Sequence, residues 1–175
     1  MKQILLMMVT AVLVGCGKKD DGNTGVVNPN KPSTDSASEK LITDHIVEKA
    51  IRVELEKPTG KLTESDLEKI DYLSWRLTKI TDKGLKDVAK LQNLTHLNVS
   101  GSKITDAGLK EAAKLQKLQR LYLNDTKITN AGLVDVAKLQ NLKELGLDET
   151  KITDAGLKEV AKLQKLEFLS LQLTQ

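Results

Sequence analysis

The chain has 175 residues, of which 29% are charged and 39% hydrophobic, and its formal net charge is +3 at pH 7. This length accommodates one modest domain with appended segments. Acidic and basic residues are interleaved along the chain instead of forming blocks, which argues against nucleic-acid binding. Only 2% of the residues are aromatic, so leucine and isoleucine must form the hydrophobic core.

Residues 1–15 have the pattern of a secretory signal peptide. A short cationic start precedes an apolar run at 4–14, which is too short to span a bilayer permanently. The run leads into Leu-Val-Gly-Cys, an order that resembles a bacterial lipobox, in which the cysteine is acylated after cleavage. The resemblance implies lipidation of Cys16, the only cysteine in the chain. The alternative is a plain signal peptide with an incidental cysteine.

Lipidation implies an exported protein that is anchored in the bacterial cell envelope, at the outer membrane if the source is Gram-negative. The lipid anchor would be its only membrane contact. Residues 16–39, which follow the signal peptide and begin with the acylated cysteine, contain almost no apolar side chain and cannot bury a core. We predict a disordered tether there, with a typical reach of about 25–30 Å.

Residues 40–69 are predicted to form a helical cap. Apolar side chains recur within residues 41–55 and predict an amphipathic helix. These side chains are Ile42, Ile46, Ala50 and Val53. The proline and glycine within residues 57–60 should end this helix, and a second, short helix should begin at residues 63–66.

Residues 70–175 are dominated by an internal repeat. Four ungapped blocks of 24 residues, typified by ITDAGLKEVAKLQKLEFLSLQLTQ, begin at Ile80, Ile104, Ile128 and Ile152. The alternating leucines near the end of each block predict a short strand with one buried side, and the preceding apolar spacing predicts a helix. The strand pattern first occurs one step earlier, at Ile70-x-x-Leu73-x-Trp75, where Trp75 should face inward. The sequence therefore predicts five strands.

No block can bury its leucines alone, so the blocks should stack, with parallel strands on one side and helices on the other. A glycine recurs inside every predicted helix, although glycine costs about 1 kcal/mol there relative to alanine. The recurring glycines are Gly84, Gly108, Gly132 and Gly156. Their return predicts that each helix approaches the sheet closely at that point.

The block resembles the repeats of the leucine-rich-repeat family. The resemblance implies an α/β fold, a right-handed β-α superhelix that forms a short horseshoe segment with parallel strands on its concave face. Many members have asparagine where this chain has a hydroxyl residue, which can still bond to the backbone of the turn. These residues are Ser102, Thr126, Thr150 and Thr174.

Two further resemblances concern particular segments. The Ile-Thr-Asp-Ala-Gly-Leu opening is similar to the repeats of F-box-type substrate adaptors, but only in repeat geometry, since this chain has no F-box segment. The helices predicted in residues 40–69 resemble the N-terminal cap of internalin-type bacterial proteins. The second resemblance implies that they cover the open side of the first repeat.

Five positions differ in all four blocks, and they flank or alternate with the strand leucines. On a leucine-rich-repeat fold such positions line the concave face, which is the surface that these proteins usually bind with. The residues predicted to bind a partner there are Tyr72, His96, Asn98, Arg120, Tyr122, Glu144, Asp148 and Phe168. Aromatic residues and arginine often anchor interfaces, and the acidic residues near the C-terminal strands favour a basic or mixed-charge partner.

Free drift of exposed positions after duplication is the alternative explanation of this variation. Exposed lysine and glutamine positions on the helices, however, hardly vary between the blocks. We therefore predict a non-catalytic module of the cell envelope that recognises a protein or a peptide and needs no cofactor.

Two other functions remain open. The chain ends directly after a strand, which leaves an apolar end and a strand edge that invites association. A structural spacer could assemble there as a homo-oligomer; partner docking or a gene fragment would also explain the exposed end. A hydrolase built on Glu144 and Asp148 is the third candidate, but His45 and His96, the only histidines, lie in separate segments without metal-ligand spacing.

The lipobox makes one direct prediction. Cys16→Ser removes the thiol that would be acylated, so the variant should remain unprocessed and should not incorporate a fatty-acid probe during expression. Metabolic labelling followed by gel electrophoresis measures this. Normal labelling of the variant would exclude lipidation at Cys16.

Overall fold

The computed structural model describes residues 40–75 and 79–174. The predicted signal peptide, Cys16 and the tether lie outside the described residues and stay predictions. Within the described residues, no helix combines the length and the apolar character needed to cross a membrane.

Helices and strands alternate along the chain. Two helices come first, α1 (His45–Glu54) and α2 (Glu64–Leu67). The strands are β1 (Tyr72–Ser74), β2 (His96–Asn98), β3 (Arg120–Tyr122), β4 (Glu144–Gly146) and β5 (Phe168–Ser170). The helices between them are α3 (Asp82–Val88), α4 (Asp106–Ala112), α5 (Asn130–Val136) and α6 (Asp154–Val160).

The five strands form one parallel sheet in the order β1-β2-β3-β4-β5. The predicted α/β solenoid with five strands is thereby confirmed. Successive helices from α3 to α6 pack on one another beside the sheet. Every neighbouring pair of strands is aligned in the same register, so equivalent residues of successive repeats stand side by side.

The core lies between the sheet and the helices. The central residue of each of the first four strands is a leucine that is at most 3% exposed, and the helices contribute leucines such as Leu109 and Leu133. Trp75 is 3% exposed, which confirms its predicted inward position. Burial of branched aliphatic side chains supplies most of the favourable free energy, at about 25 cal/mol per Å² of apolar surface.

The cap helix differs from the prediction in its start and in its buried face. Asp44 is the N-cap and accepts hydrogen bonds from the backbone N–H groups of Ile46 and Val47, so the helix begins after Ile42 instead of including it. The fully buried side chains of the helix are Val47 and Ile51, and the predicted Ile46 and Ala50 are partly buried against the core beside them. Val53 was predicted to be on the apolar face, but it is 69% exposed.

A buried carboxylate fastens the cap to the first repeat. Asp87 is 3% exposed, and its Oδ2 accepts hydrogen bonds from the backbone N–H groups of Thr43 and Asp44, both at 2.7 Å. Lys90 Nζ lies 2.7 Å from Asp87 Oδ1 and also donates to the carbonyl of Leu41. Burial raises the pKa of Asp87, but the hydrogen bonds from Lys90, Asp44 and Thr43 outweigh it and hold the pKa below its usual range. This contact therefore stabilises the fold above the ordinary carboxyl range and is lost as the pH falls through the lowered pKa.

A second set of side-chain bonds joins each repeat helix to the next repeat. Asp82 accepts from the backbone N–H of Thr105 at 2.8 Å and from its hydroxyl at 2.7 Å. Asp106 makes the same two bonds to Thr129, at 2.8 and 2.7 Å. Between the next two repeats, the Asn130 side chain accepts a hydrogen bond from the Thr153 N–H and donates one to the Thr153 hydroxyl. We call this series the threonine ladder.

The repeated glycine makes room for the threonine ladder. A Cβ atom on Gly132 would collide with Asp106 Oδ1 and would lie 2.8 Å from Leu109 Cδ1. Gly108 and Gly156 are crowded by the equivalent atoms of the preceding repeat. The prediction of a close approach is correct, but its target was wrong: at these three glycines the crowding comes from the preceding repeat helix and not from the sheet.

The crowding predicts the effect of a single methyl group. Gly132→Ala should lower the free energy of unfolding by about 1–3 kcal/mol, because overpacking of this kind forces side chains or backbone to move. Urea unfolding measures it. Asp106→Ala removes the colliding carboxylate, so the same glycine substitution should cost less in that background. An equal cost in both backgrounds would contradict the proposed role of the glycine.

Candidate functional site

The strand register assembles most of the predicted binding residues on one face. Residues on either side of each buried leucine point away from the core, and we call the resulting side of the sheet the open face. It has two rows. The outer row is Tyr72, His96, Arg120, Glu144 and Phe168, and the second row is Ser74, Asn98, Tyr122, Gly146 and Ser170.

Exposure is greatest in the outer row. Tyr72 is 48% exposed and Phe168 is 54% exposed, and they stand at its two ends. The side chain of Arg120, in the middle, is 48% exposed. The three side-chain types that most often anchor interfaces are aromatic residues, arginine and methionine. The open face therefore presents two of them to solvent across five strands.

Arg120, Tyr122 and Glu144 form a bonded cluster at the centre of the open face. Arg120 Nε lies 2.7 Å from Glu144 Oε1, and the Tyr122 hydroxyl donates to Glu144 Oε2. The hydrogen bond to Glu144, with partial burial, raises the pKa of Tyr122 above its usual range. The cluster therefore joins side chains of β3 and β4 at the centre of the open face.

Gly146 makes this arrangement sterically feasible. A Cβ atom there would lie 2.9 Å from Tyr122 Cδ1 and 2.7 Å from Asn124 Oδ1. Every other second-row position carries a side chain, whereas at Gly146 that space is occupied by the Tyr122 ring and the Asn124 side chain. This variable position is thus explained by packing within the protein.

The first two strands present a different pair. The rings of Tyr72 and His96 are tilted by 48°, with centroids 6.0 Å apart, a distance typical of paired aromatic rings. The Thr95 hydroxyl lies 2.6 Å from His96 Nδ1. These contacts position His96 as part of the open face. The other histidine, His45, lies elsewhere, at the start of α1. No group of three His, Cys, Asp or Glu side chains in the described parts of the chain could hold a metal ion.

Two predicted binding residues also serve the backbone. Asn98 Oδ1 accepts from the N–H of Ser100 at 3.0 Å. Asp148 Oδ1 accepts from the N–H of Gln172 at 2.7 Å and from the Ser170 hydroxyl at 2.5 Å. Asn124, in the intervening repeat, accepts from the N–H of Asp148 at 2.9 Å. Part of the variation at these positions therefore reflects bonding between repeats.

The two variable positions beyond each strand are only partly free surface. Ser100 stands at one of the five variable positions that were predicted to line the concave face, but it is only 7% exposed. The next position has a left-handed backbone in every block, at Gly101, Asp125, Glu149 and Leu173. Comparison of the blocks could not reveal this backbone requirement. Four different residue types occupy the position, so its variation resembles that of a freely exposed site.

The turn hydroxyls behave largely as predicted. Thr126 and Thr150 donate to the carbonyls of Leu123 and Leu147, each at 2.6 Å, and Thr174 bonds to Leu171. Ser102 Oγ is the exception, since it is buried and has no hydrogen-bond partner among the described residues. Asp87 was not identified from the sequence, although it is a carboxylate on the otherwise apolar side of α3.

The geometry defines an open parallel-sheet solenoid with one uncovered face. A family model described as "Leucine Rich repeat" matches residues 90–111, 114–137 and 138–161. The chain thus contains leucine-rich repeats and has the leucine-rich-repeat fold. Proteins of this fold are generally protein-binding modules, typically without enzymatic activity.

Two solved structures, from Leptospira interrogans and of leiomodin-1, agree on the fold. A leucine-rich-repeat protein from Leptospira interrogans is similar with 28% identity and a TM-score of 0.51, over 63% of this chain and 27% of that one. Actin-binding site 2 of leiomodin-1 is similar with 11% identity and a TM-score of 0.55, over 75% of this chain and 82% of that one. An internalin from Listeria monocytogenes matches with 19% identity and a TM-score of 0.38, over 75% and 57%. This chain spans about a quarter of the Leptospira protein and little more than half of the internalin. No curated protein matches the sequence.

The central cluster predicts a change in tyrosine ionisation. Tyr72→Phe leaves Tyr122 as the only tyrosine. In that background, Glu144→Gln should lower the pKa of Tyr122 towards its usual value, because the neutral amide no longer opposes the phenolate charge. Ultraviolet absorbance against pH measures this. Glu167→Gln, a control at another carboxylate, should leave the pKa unchanged; an unchanged pKa in Glu144→Gln would exclude the hydrogen bond.

Proposed function

We propose that the protein is a non-catalytic binding module that recognises a protein or peptide through the open face of its sheet. The proposal depends above all on the register of the outer row, which aligns Tyr72, Arg120 and Phe168 on one uncovered surface. Leucine-rich-repeat proteins generally bind protein partners, and this is the face of the solenoid that they use.

The size and chemistry of the open face suit a limited epitope. Five parallel strands at about 4.8 Å spacing give a width of about 20 Å. Aromatic rings lie at the ends, and the Arg120–Glu144 pair lies between them. A segment bound across the strands could contact an aromatic anchor at each end and exchange charge-assisted hydrogen bonds at the centre.

We further propose that the module works in the cell envelope of a bacterium, exported by residues 1–15 and anchored by a lipid on Cys16. The order of cationic start, apolar run and lipobox supports this location. The tether predicted at residues 16–39 would leave the repeats free to turn towards a partner.

A structural role is the second candidate. At β5 the central leucine, Leu169, is 36% exposed, whereas its equivalents in β1 to β4 are at most 3% exposed. Leu173, just beyond, is 82% exposed. These exposed apolar side chains favour association of two copies of the chain at β5. The protein would then be a structural component that self-assembles and acts as a spacer.

A capture experiment with paired variants distinguishes the two. The full chain is used to capture proteins from an envelope extract, and the affinity of each captured protein is then measured. Tyr72→Ala, Arg120→Ala and Phe168→Ala are combined in one variant. It should bind at least tenfold more weakly, since truncating an interface anchor typically costs about 1 kcal/mol or more.

The matched control carries three exposed substitutions on the helices: Lys110→Ala, Val134→Ala and Lys158→Ala. It should bind like the wild type, and circular dichroism should show that both variants are folded. Equal binding by the open-face variant and the wild type would refute the proposal. That result, together with concentration-dependent sedimentation of the wild type, would favour the spacer.

A further inference from the structure

A polar cavity of about 410 Å³ opens where β2, β3 and β4 end, at the rim of the open face. Its lining includes Asn98, Ser100, Asn124, Asp125, Asp148 and Glu149. We call it the acidic cavity. Three of these side chains are carboxylates, and neither lysine nor arginine lines it.

The carboxylates are held side by side by the backbone. The ladder of the sheet continues beyond the strands, where the N–H of Asp125 donates to the carbonyl of Asp148 at 2.8 Å. The N–H groups of Gly101 and Glu149 make equivalent bonds, also at 2.8 Å. Asp125 and Glu149 therefore occupy the same turn position in adjacent repeats, about one strand spacing apart.

Much of the negative charge in the acidic cavity is uncompensated. Within the described residues, neither Asp125 nor Glu149 has a basic group within ion-pair distance, whereas most acidic residues of the helices pair with a nearby lysine. Asp148 uses Oδ1 for Gln172 and Ser170. Carboxylates brought together in this way repel one another, and a cationic group between them relieves that repulsion.

Ser100 supplies an independent indication of a ligand. Its side chain lines the acidic cavity and is 93% buried, and its Oγ has no hydrogen-bond partner among the described residues. In the next two repeats the equivalent side chains, Asn124 and Asp148, reach the backbone of the following repeat. The serine is too short for that bond. A buried hydroxyl without a partner is unfavourable, and a donor in the cavity would satisfy it after rotation of the serine side chain towards the cavity.

We propose that the acidic cavity seats a basic side chain, arginine or lysine, of the partner that binds the open face. Asp125 and Glu149 would receive charge-assisted hydrogen bonds from the guanidinium or ammonium group, and Ser100 Oγ would accept one further bond. This inference rests on the proposed function and adds the chemical class of one partner residue. It also fixes the orientation in which the partner binds, since the cavity lies only at the C-terminal end of the strands.

Titration with a minimal ligand tests the cavity. The full chain, labelled with ¹⁵N, is titrated with acetyl-arginine amide and, separately, with acetyl-citrulline amide, which keeps the shape of arginine but has no charge. The amide signals of Ser100, Asp125 and Glu149 should shift in a saturable way with arginine. Citrulline should require at least tenfold higher concentration for the same shift.

Paired variants assign the effect to these carboxylates. Asp125→Asn with Glu149→Gln should weaken arginine binding at least tenfold, and asparagine tolerates the left-handed backbone at residue 125. Glu54→Gln with Glu68→Gln changes the net charge equally at exposed sites elsewhere and should bind like the wild type. Equal loss in both variants, equal shifts by citrulline, or displacement of arginine by an equal concentration of Ca²⁺ would overturn the inference.

The captured partner separates this inference from the proposed function. Weak binding by both the cavity variant and the open-face variant supports both proposals. Wild-type binding by the open-face variant refutes the proposed function. Wild-type binding by the cavity variant, with loss in the open-face variant, overturns the inference about the cavity and leaves the proposed function intact.

Discussion

The stacking of the repeats in this protein depends on a polar contact between neighbouring repeats. In this contact, the carboxylate or amide side chain at the first position of one repeat helix is hydrogen-bonded to a threonine of the next repeat. The bonds from Asp82 to Thr105 and from Asp106 to Thr129 satisfy two donors of each threonine. Hydrophobic burial drives the stacking but is not directional. The threonine ladder supplies direction, and the neighbouring glycine lets the helices come close enough to form it.

A fixed offset between repeats has a functional consequence. Because each strand pairs with the next in the same register, a residue type placed at one position of the repeat becomes part of a straight row. The outer row can therefore vary from strand to strand without disturbing the buried leucines between its members. Arg120, Tyr122 and Glu144 use that freedom to form a cluster that no single repeat could build.

The departures from the repeat are as informative as the repeat itself. Asp87 alone among its equivalents is nearly fully buried, because the cap supplies the N–H groups of Thr43 and Asp44 in place of solvent. Gly146 opens space for the Tyr122 ring, and Ser100 replaces a side chain that would bond to the next repeat. The cap, the central cluster and the acidic cavity thus each depend on a residue that departs from the repeated pattern.

The sequence by itself determined the repeat, its strands and helices, the inward position of Trp75 and most of the residues on the open face. Periodicity carries that information, because a side chain's direction follows from its place in a strand. Only the tertiary structure decided which face of α1 is buried, why each helix carries a glycine, and which variable residues bond within the protein. Most of those features depend on contacts between residues of different repeats or between the cap and a repeat, and the spacing of residues within one element does not encode them.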